Sequence, residues 1–117
     1  MVYHIIWCSK RRCKVLLGQL AERLEQIVYE VAKAHDWEGI RLVIQPDHVH
    51  LLIHAHPYTL PTDIARTIKG RSSHLLREEF PMSHTLPSLW TRSTFSSTAG
   101  NVSAETIQQD IERQSKT

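Results

Sequence analysis

Two apolar runs, residues 38–45 and 48–55, are separated only by Pro46-Asp47. Both runs are rich in β-branched and aliphatic residues, which favours strands, and Pro-Asp favours a tight turn. A two-residue connection joins strands only in the antiparallel sense, because a parallel crossover needs a dozen or more residues. The sequence therefore predicts an antiparallel hairpin against which the rest of the chain must pack.

Strand and helix patterns alternate along the rest of the chain. Apolar residues repeat at i, i+3, i+4 and i+7 in the first helical segment, Pro61 suits the first position of the second, and Ser103 suits the N-cap of a short third. The predicted strands are 3–8, 38–45, 48–55 and 89–97, and the predicted helices are 17–36, 61–80 and 103–114. This order predicts an α+β fold, a ferredoxin-like (RRM-like) four-stranded antiparallel sheet with two packed helices, to which the short C-terminal helix is an addition.

The length and composition are those of one globular domain, with 117 residues of which 41% are hydrophobic and 22% charged. We therefore expect a single domain over 1–117, with its core at 3–97. No apolar run approaches the length that spans a bilayer. Cys8 and Cys13 have no second pair with which to complete a zinc site, so we expect free thiols in a reducing cytoplasm.

His48 and His50 stand one residue apart at the start of the second hairpin strand. Alternate side chains of a strand point to the same face, which places the two imidazoles about 6.5–7 Å apart along the strand. Neutral imidazole is the commonest metal ligand, and two ligands that leave coordination positions open suit a metal that polarises a substrate oxygen. The same alternation is also typical of a half-buried strand with a polar outer face, so both interpretations stay open.

The predicted C-terminal helix carries a polar face. Thr106, Asp110 and Gln114 follow one another at intervals of four residues, beside an apolar stripe of Ile107 and Ile111. The apolar stripe is expected to anchor the helix and to leave Asp110 and Gln114 facing outwards. Taken alone, this is the pattern of a solvated surface.

Six segments occur in an order that matches one family of proteins. They are Tyr3-His4-Ile5-Ile6-Trp7, Pro46-Asp47-His48-Val49-His50-Leu51-Leu52-Ile53, Lys69-Gly70-Arg71-Ser72-Ser73, Leu75-Leu76-Arg77-Glu78-Glu79-Phe80, Leu89-Trp90 and Val102-Ser103-Ala104-Glu105-Thr106. The chain resembles, from about residue 3 to residue 114, the small single-tyrosine HUH transposases of bacterial and archaeal insertion sequences and their repeat-associated relatives. HUH denotes histidine, hydrophobe, histidine.

The resemblance implies a DNA transposase that cuts and rejoins single-stranded DNA next to the hairpin ends of a mobile element. It implies that His48, His50 and Gln114 bind Mg²⁺ or Mn²⁺. A tyrosine four residues before Gln114 would form a 5′-phosphotyrosine link, so that no nucleotide cofactor is needed. It further implies a homodimer, associated with the nucleoid in a bacterial or archaeal cytoplasm, in which the tyrosine helix of one subunit meets the histidine pair of the other.

The basic residues cluster, although the net charge is only +2. Charge runs are commonly a solvated surface, but in the context of this resemblance they become candidates for phosphate contacts with DNA. The candidate DNA-binding residues are Lys10, Arg11, Arg12, Lys14, Arg66, Lys69 and Arg71.

The sequence departs from the family at the nucleophile, because Asp110 stands where the family has its tyrosine. A phenol can attack a phosphate and later leave as a phenoxide, whereas a carboxylate would form an acyl phosphate that water destroys too readily for orderly strand transfer. We therefore expect impaired cleavage with a retained fold and retained DNA binding. Thr94 stands where relatives commonly carry an aromatic, so we also expect a base-stacking contact to be lost.

Other functions remain open at this stage. One is a non-catalytic protein that binds DNA hairpins, and another is a metal-dependent phosphodiesterase that uses water, with Asp110 as an added ligand or base. Rescue by Tyr58 is disfavoured by distance: the extended chain from His50 to Tyr58 spans about 26 Å, unless it folds back or a second subunit supplies the tyrosine.

Overall fold

The computed structural model describes residues 1–80 and 89–98. Its strands are β1 (Val2–Ser9), β2 (Glu38–Gln45), β3 (His48–His54) and β4 (Trp90–Thr98), and its helices are α1 (Gly18–Ala34) and α2 (Pro61–Glu79). The strands form one antiparallel sheet in the order β2-β3-β1-β4. This is the ferredoxin-like α+β arrangement, so the predicted fold class is confirmed. The predicted C-terminal helix, 103–114, lies outside the described residues.

The predicted hairpin is present with the expected turn. Gln45 pairs with His48, so Pro46 and Asp47 alone connect β2 to β3. On its other edge β3 pairs with β1, where Cys8 stands opposite His48. Because β3 has a neighbour on both edges, a slip of one residue would exchange its two faces and expose its apolar side chains. The face on which the histidines lie is therefore fixed by the burial of the alternate residues Val49, Leu51 and Ile53.

The helices follow their predicted bounds closely. α2 begins at Pro61, as predicted, and continues through Gly70 without a break. The basic segment after β1, predicted as a loop, contains a short 3₁₀ turn at Lys10–Arg12. Neither described helix combines the length and apolarity needed to cross a membrane.

The main core lies between the helices and one face of the sheet. Ile5 and Trp7 of β1 are fully buried there together with Leu24 of α1 and Ile64 of α2. Trp90 meets Trp7 edge to face, with ring centroids 6.0 Å apart. Both tryptophans are thus core residues, and the alternate positions of β1 and β3 are directed to the opposite face.

A small second cluster lies on that opposite face. Leu52 of β3 is fully buried, and Val2, Ile40 and Val43 pack against it. His50 shares this face with Leu52, because the two residues are separated by one position of the strand. The histidine pair is therefore on the side of the sheet that faces away from α1 and α2.

Two glycines differ in the space around them. A Cβ at Gly39 in β2 would lie only 2.8 Å from Cε1 and 3.0 Å from Cδ1 of Tyr29. At Gly70 in α2, apart from the backbone of the same helix turn and the two adjacent residues, no heavy atom of the described residues lies within 4 Å of the same position. The first glycine is therefore required by the close approach of the Tyr29 ring, and the second is not.

We expect Gly70→Ala to raise the free energy of unfolding by about 0.8–1 kcal/mol, because glycine in a helix interior is less favourable than alanine by that amount. We expect Gly39→Ala to lower it by about 1–3 kcal/mol through overpacking. Urea denaturation measures both changes. Gly39→Ala should cost less in a Tyr29→Ala background, and an equal cost in both backgrounds would show that the tyrosine ring is not the cause.

A candidate metal centre and nucleic-acid cleft

The two histidines of β3 lie side by side, as the strand periodicity predicts. Their ring centroids are 4.9 Å apart, closer than the separation of about 6.5–7 Å expected along the strand, and their planes are inclined by 76°. His50 is only 2% exposed, whereas the His48 side chain keeps 18% of its surface accessible. The structure therefore brings the two predicted metal ligands into contact on one face of the sheet.

Asp47 fixes the orientation of His48. Its Oδ1 lies 2.6 Å from Nδ1 of His48. Since an ionised carboxylate only accepts hydrogen bonds, Nδ1 is the donor, and in the neutral ring Nε2 is left with its lone pair for another partner. The hydrogen bond from His48 and, secondly, the one from Arg12 hold the pKa of Asp47 below its ordinary value. A carboxylate behind the far nitrogen is the usual support of a metal-binding histidine.

His50 is held differently. Both of its ring nitrogens are buried, and neither has a hydrogen-bond partner within residues 1–80 and 89–98. Its ring instead stacks on that of His4, with centroids 5.8 Å apart and planes inclined by 19°. Burial, followed by the neighbouring His48 and His4, lowers the pKa of His50 to about 4. The ring is therefore neutral at pH 7, which is the form that binds metals, and a divalent ion would satisfy its otherwise unpaired nitrogen.

A basic cleft lies between α2 and β4. It has a volume of about 840 Å³, and its lining includes three of the predicted DNA-binding residues together with one that was not predicted. These cations are Lys10, Arg66, Lys69 and Arg92. Arg92 was missed because it stands alone in the sequence, outside both basic clusters, and reaches the cleft only through the position of β4.

Lys69 is part of the wall of this cleft. Its Nζ donates to the backbone oxygen of Thr91 at 2.7 Å, to Oγ1 of Thr94 at 2.9 Å and to the backbone oxygen of Ser93 at 3.3 Å. Burial lowers the pKa of Lys69. An ammonium group has three protons, so these three acceptors use its donor capacity and fasten the start of β4 to α2. Thr94, for which we expected the loss of a base-stacking contact, is one of the acceptors.

The family model described as "Transposase IS200 like" matches residues 1–114 of the chain. The chain belongs to the IS200-like transposase family. Two curated relatives agree with this assignment. The ISDra2 transposase TnpA of Deinococcus radiodurans is 38% identical over 79 residues, which cover 68% of this chain and 56% of that protein. The IS200 transposase of Salmonella typhimurium is 25% identical over 118 residues, which cover 96% of this chain and 75% of that protein.

Two solved structures have folds similar to that of this chain. A transposase crystal structure from Deinococcus radiodurans R1 superposes with a TM-score of 0.79 at 33% identity, over 97% of this chain and 90% of that one. A REP-associated tyrosine transposase bound to a REP hairpin gives a TM-score of 0.67 at 15% identity, over 95% and 62% of the two chains. At that identity the second structure shows a shared fold alone.

The described part of this family member contains two of the four residues of the predicted site, His48 and His50. Within residues 1–80 and 89–98, no group of three or more His, Cys, Asp or Glu side chains is arranged to hold a metal ion. A metal centre at His48 and His50 would therefore need at least one ligand from outside these residues. The predicted third ligand, Gln114, and the residue at the family's tyrosine position, Asp110, both lie outside the described residues, and their roles stay predictions.

The three tyrosines of the transposase chain have other environments. Tyr3 is buried on the helix-packed face of the sheet, where its hydroxyl donates to the backbone oxygen of Thr59 at 3.0 Å. Tyr29 lies on α1, and burial raises the pKa of its hydroxyl, the opposite of what activates a nucleophile. Tyr58 is 89% exposed beyond the end of β3. Tyr3 and Tyr29 are thus on the wrong side of the sheet to replace a tyrosine at the histidine pair.

The remaining basic residues of the family member do not form one surface. Arg12 pairs with Asp47, its Nε lying 3.2 Å from Oδ2. Arg11 and Lys14 are exposed on the same segment. Arg71 lines a different cavity, between α1 and α2, rather than the cleft beside β4. The charge clusters of the sequence are therefore divided in the structure among a cleft, a loop and the far side of α2.

Proposed function

We propose that this chain binds the hairpin ends of single-stranded insertion-sequence DNA and holds Mg²⁺ or Mn²⁺ with His48, His50 and Gln114, as a homodimer. We further propose that it is impaired in cleaving and rejoining DNA, because Asp110 replaces the nucleophilic tyrosine of its family. The observation that carries the metal proposal is the histidine pair itself. One ring is oriented by a carboxylate, and the other is buried with two unpaired nitrogens.

The histidines have the chemistry of a catalytic rather than a structural metal site. Two imidazoles and an amide oxygen leave coordination positions open, as a site that must admit a phosphate oxygen requires. When bound, the ion would polarise the scissile phosphate and stabilise the charge that develops on it. The contribution of the chain is to supply neutral His50 and a fixed tautomer of His48. Neither the neutral state of His50 nor the tautomer of His48 depends on the residue at position 110.

The DNA proposal rests on the cleft beside β4. Lys10, Arg66 and Arg92 surround an open cavity of about 840 Å³, and hydroxyl side chains of Thr62 and Ser73 also line it. Guanidinium, ammonium and hydroxyl groups are the usual donors to phosphate oxygens. A hairpin as the ligand is supported by the distant structural relative that is bound to a REP hairpin. Phosphate contacts in the cleft would position the DNA while the histidine face receives the strand to be cut.

The expected impairment follows from the chemistry of carboxylates. An attack by Asp110 on phosphorus would give a mixed anhydride, and water hydrolyses such an acyl phosphate more readily than it hydrolyses a phosphotyrosine. The bond energy of the cut strand would then be lost before the second strand could attack. The chain would retain the affinity of a transposase for its DNA without its strand transfer.

Metal binding is tested by titrating the chain with Mn²⁺ in a calorimeter. We expect His48→Ala and His50→Ala each to lower the affinity at least about tenfold, because loss of even the supporting partner of a ligand costs 10–100-fold. His54→Ala is the matched control, since His54 lies on the same strand but is exposed. Equal affinities for all four proteins would contradict the proposed centre.

DNA binding is tested with a hairpin oligonucleotide over a range of salt concentrations. We expect Arg66→Gln and Arg92→Gln each to weaken binding and to reduce the slope of log affinity against log salt by about 1. Lys33→Gln is the control, because it removes an exposed charge from α1. If the control reduces the slope as much as Arg92→Gln, then the cleft is not where phosphates are bound.

The nucleophile is tested by Asp110→Tyr. In the presence of Mn²⁺ and single-stranded DNA carrying the element end, we expect this variant to form a covalent adduct that denaturing electrophoresis resolves. The unaltered chain should form none, and His50→Ala should abolish the adduct of the variant.

Three results would change the proposed function. An adduct of the unaltered chain would refute the impairment. Nicking by the unaltered chain without an adduct would favour a metal-dependent phosphodiesterase that uses water. Hairpin binding without any adduct of Asp110→Tyr, and insensitive to alanine at His48 and His50, would favour a non-catalytic DNA-binding protein.

A further inference from the structure

A carboxylate links the basic loop to the histidine pair. Oδ2 of Asp47 accepts a hydrogen bond from Nε of Arg12 at 3.2 Å, while Oδ1 accepts one from Nδ1 of His48 at 2.6 Å. The two oxygens of one carboxylate are thus divided between a guanidinium group and an imidazole. Arg12 is 35 residues from Asp47 in sequence, so this contact depends on the folded path of the loop.

The backbone of the loop is strained at this point. Arg11 has a φ of 57° and Arg12 a φ of 53°. Both values lie in the left-handed region, which residues other than glycine rarely adopt. Such a conformation persists only where its surroundings determine it, and it is found most often at functional sites. This conformation of Arg11 and Arg12 accompanies the contact of the Arg12 side chain with Asp47 in the hairpin turn.

The same loop is fastened to the hairpin turn through its backbone. The amide nitrogen of buried Ser9 donates to the backbone oxygen of Asp47 at 3.0 Å, and the amide nitrogen of Leu16 donates to that of Pro46 at 3.0 Å. The hydroxyl of Ser9 lies 2.6 Å from the backbone oxygen of Cys13 and 3.2 Å from that of Asp47. Both ends of the loop are therefore held against the residues that precede His48.

We propose that Arg12 is a positioning residue for the metal centre rather than a phosphate contact: it holds the Asp47 carboxylate, which in turn holds His48 with Nδ1 protonated and Nε2 presented as the ligand. The role in metal binding rests on the proposed function, whereas the role in orienting His48 does not. The Arg12 side chain is 63% exposed, so the ion pair contributes little to stability. Its contribution is the direction in which Asp47 points.

Neighbouring charges provide a matched comparison. Lys14 is an exposed cation of the same loop, two residues further on. Lys14→Gln removes one positive charge from the loop, as Arg12→Gln does, but it leaves the carboxylate contact intact. A general electrostatic effect on the histidines would therefore appear in both variants, and a positioning effect only in one.

The experiment compares Arg12→Gln, Arg12→Lys, Asp47→Ala and Lys14→Gln in the absence of DNA. The first readout is the ¹⁵N NMR spectrum of the His48 side chain in the metal-free protein, which distinguishes the two neutral tautomers. We expect Asp47→Ala and Arg12→Gln to shift the ring away from the Nδ1-protonated form. Arg12→Lys should restore it in part, and Lys14→Gln should leave it unchanged.

The second readout is Mn²⁺ affinity. We expect a loss of about 10–100-fold for Asp47→Ala, a smaller loss of severalfold for Arg12→Gln and none for Lys14→Gln. If Arg12→Gln leaves both the His48 tautomer and the Mn²⁺ affinity unchanged, the proposal is overturned. In a separate titration with the hairpin oligonucleotide, equal weakening of DNA binding by Arg12→Gln and Lys14→Gln would then identify Arg12 as a phosphate contact.

The outcomes separate this proposal from the proposed function. If His50→Ala leaves Mn²⁺ affinity unchanged, the proposed metal centre is refuted. The effect of Arg12→Gln on the His48 tautomer would still test whether Arg12 orients His48. If His50→Ala abolishes Mn²⁺ binding while Arg12→Gln alters neither the tautomer nor the affinity, the metal centre stands and the role of Arg12 is refuted. Arg12→Gln changes an exposed side chain and should fold, which circular dichroism verifies.

Discussion

The two-fold alternation of β3 is the constraint on which the rest of the molecule depends. Val49, Leu51 and Ile53 are fully buried against the helices, and the strand has neighbours on both edges. A slip of one residue would place these side chains on the opposite face. The positions between them must therefore face away from the helices, and that is where His48 and His50 lie. The pairing of β3 with β1 and β2 therefore determines both the core of the fold and the face on which the candidate metal ligands lie.

The hairpin, the start of α2 and the face of the histidines could be predicted from the sequence because each depends on neighbouring residues in the chain. The two-residue connection at Pro46-Asp47 dictates a hairpin, and Pro61 marks the start of α2, so both were predicted within a residue of their observed positions. The placement of the histidine pair followed from strand periodicity alone. The predictions of Gln114 as third ligand and of position 110 as the nucleophile position were different, since they depended on a family resemblance and on a segment that lies outside the described residues.

Long-range polar contacts could not be predicted in the same way. Sequence clusters show where cations are concentrated but not which of them are already paired within the fold. Lys69 directs its three protons to oxygens of β4, residues 22 to 25 positions away, and Arg12 pairs with Asp47. Arg92, isolated in the sequence, reaches the basic cleft. Each result depends on which strands are neighbours, and charge patterns carry no information about that.

The energetics of His50 argue that its position is kept for binding rather than for stability. A buried imidazole whose two nitrogens lack partners among the described residues pays a desolvation cost that an aliphatic side chain would avoid. Leu52, its neighbour on the same face, shows that the sheet accommodates a fully buried apolar residue there. His48, in contrast, has its far nitrogen satisfied by Asp47. One histidine is thus oriented by hydrogen bonding and the other by ring packing against His4, and an ion bound at the pair would compensate one of the two nitrogens of His50 that lack partners among the described residues.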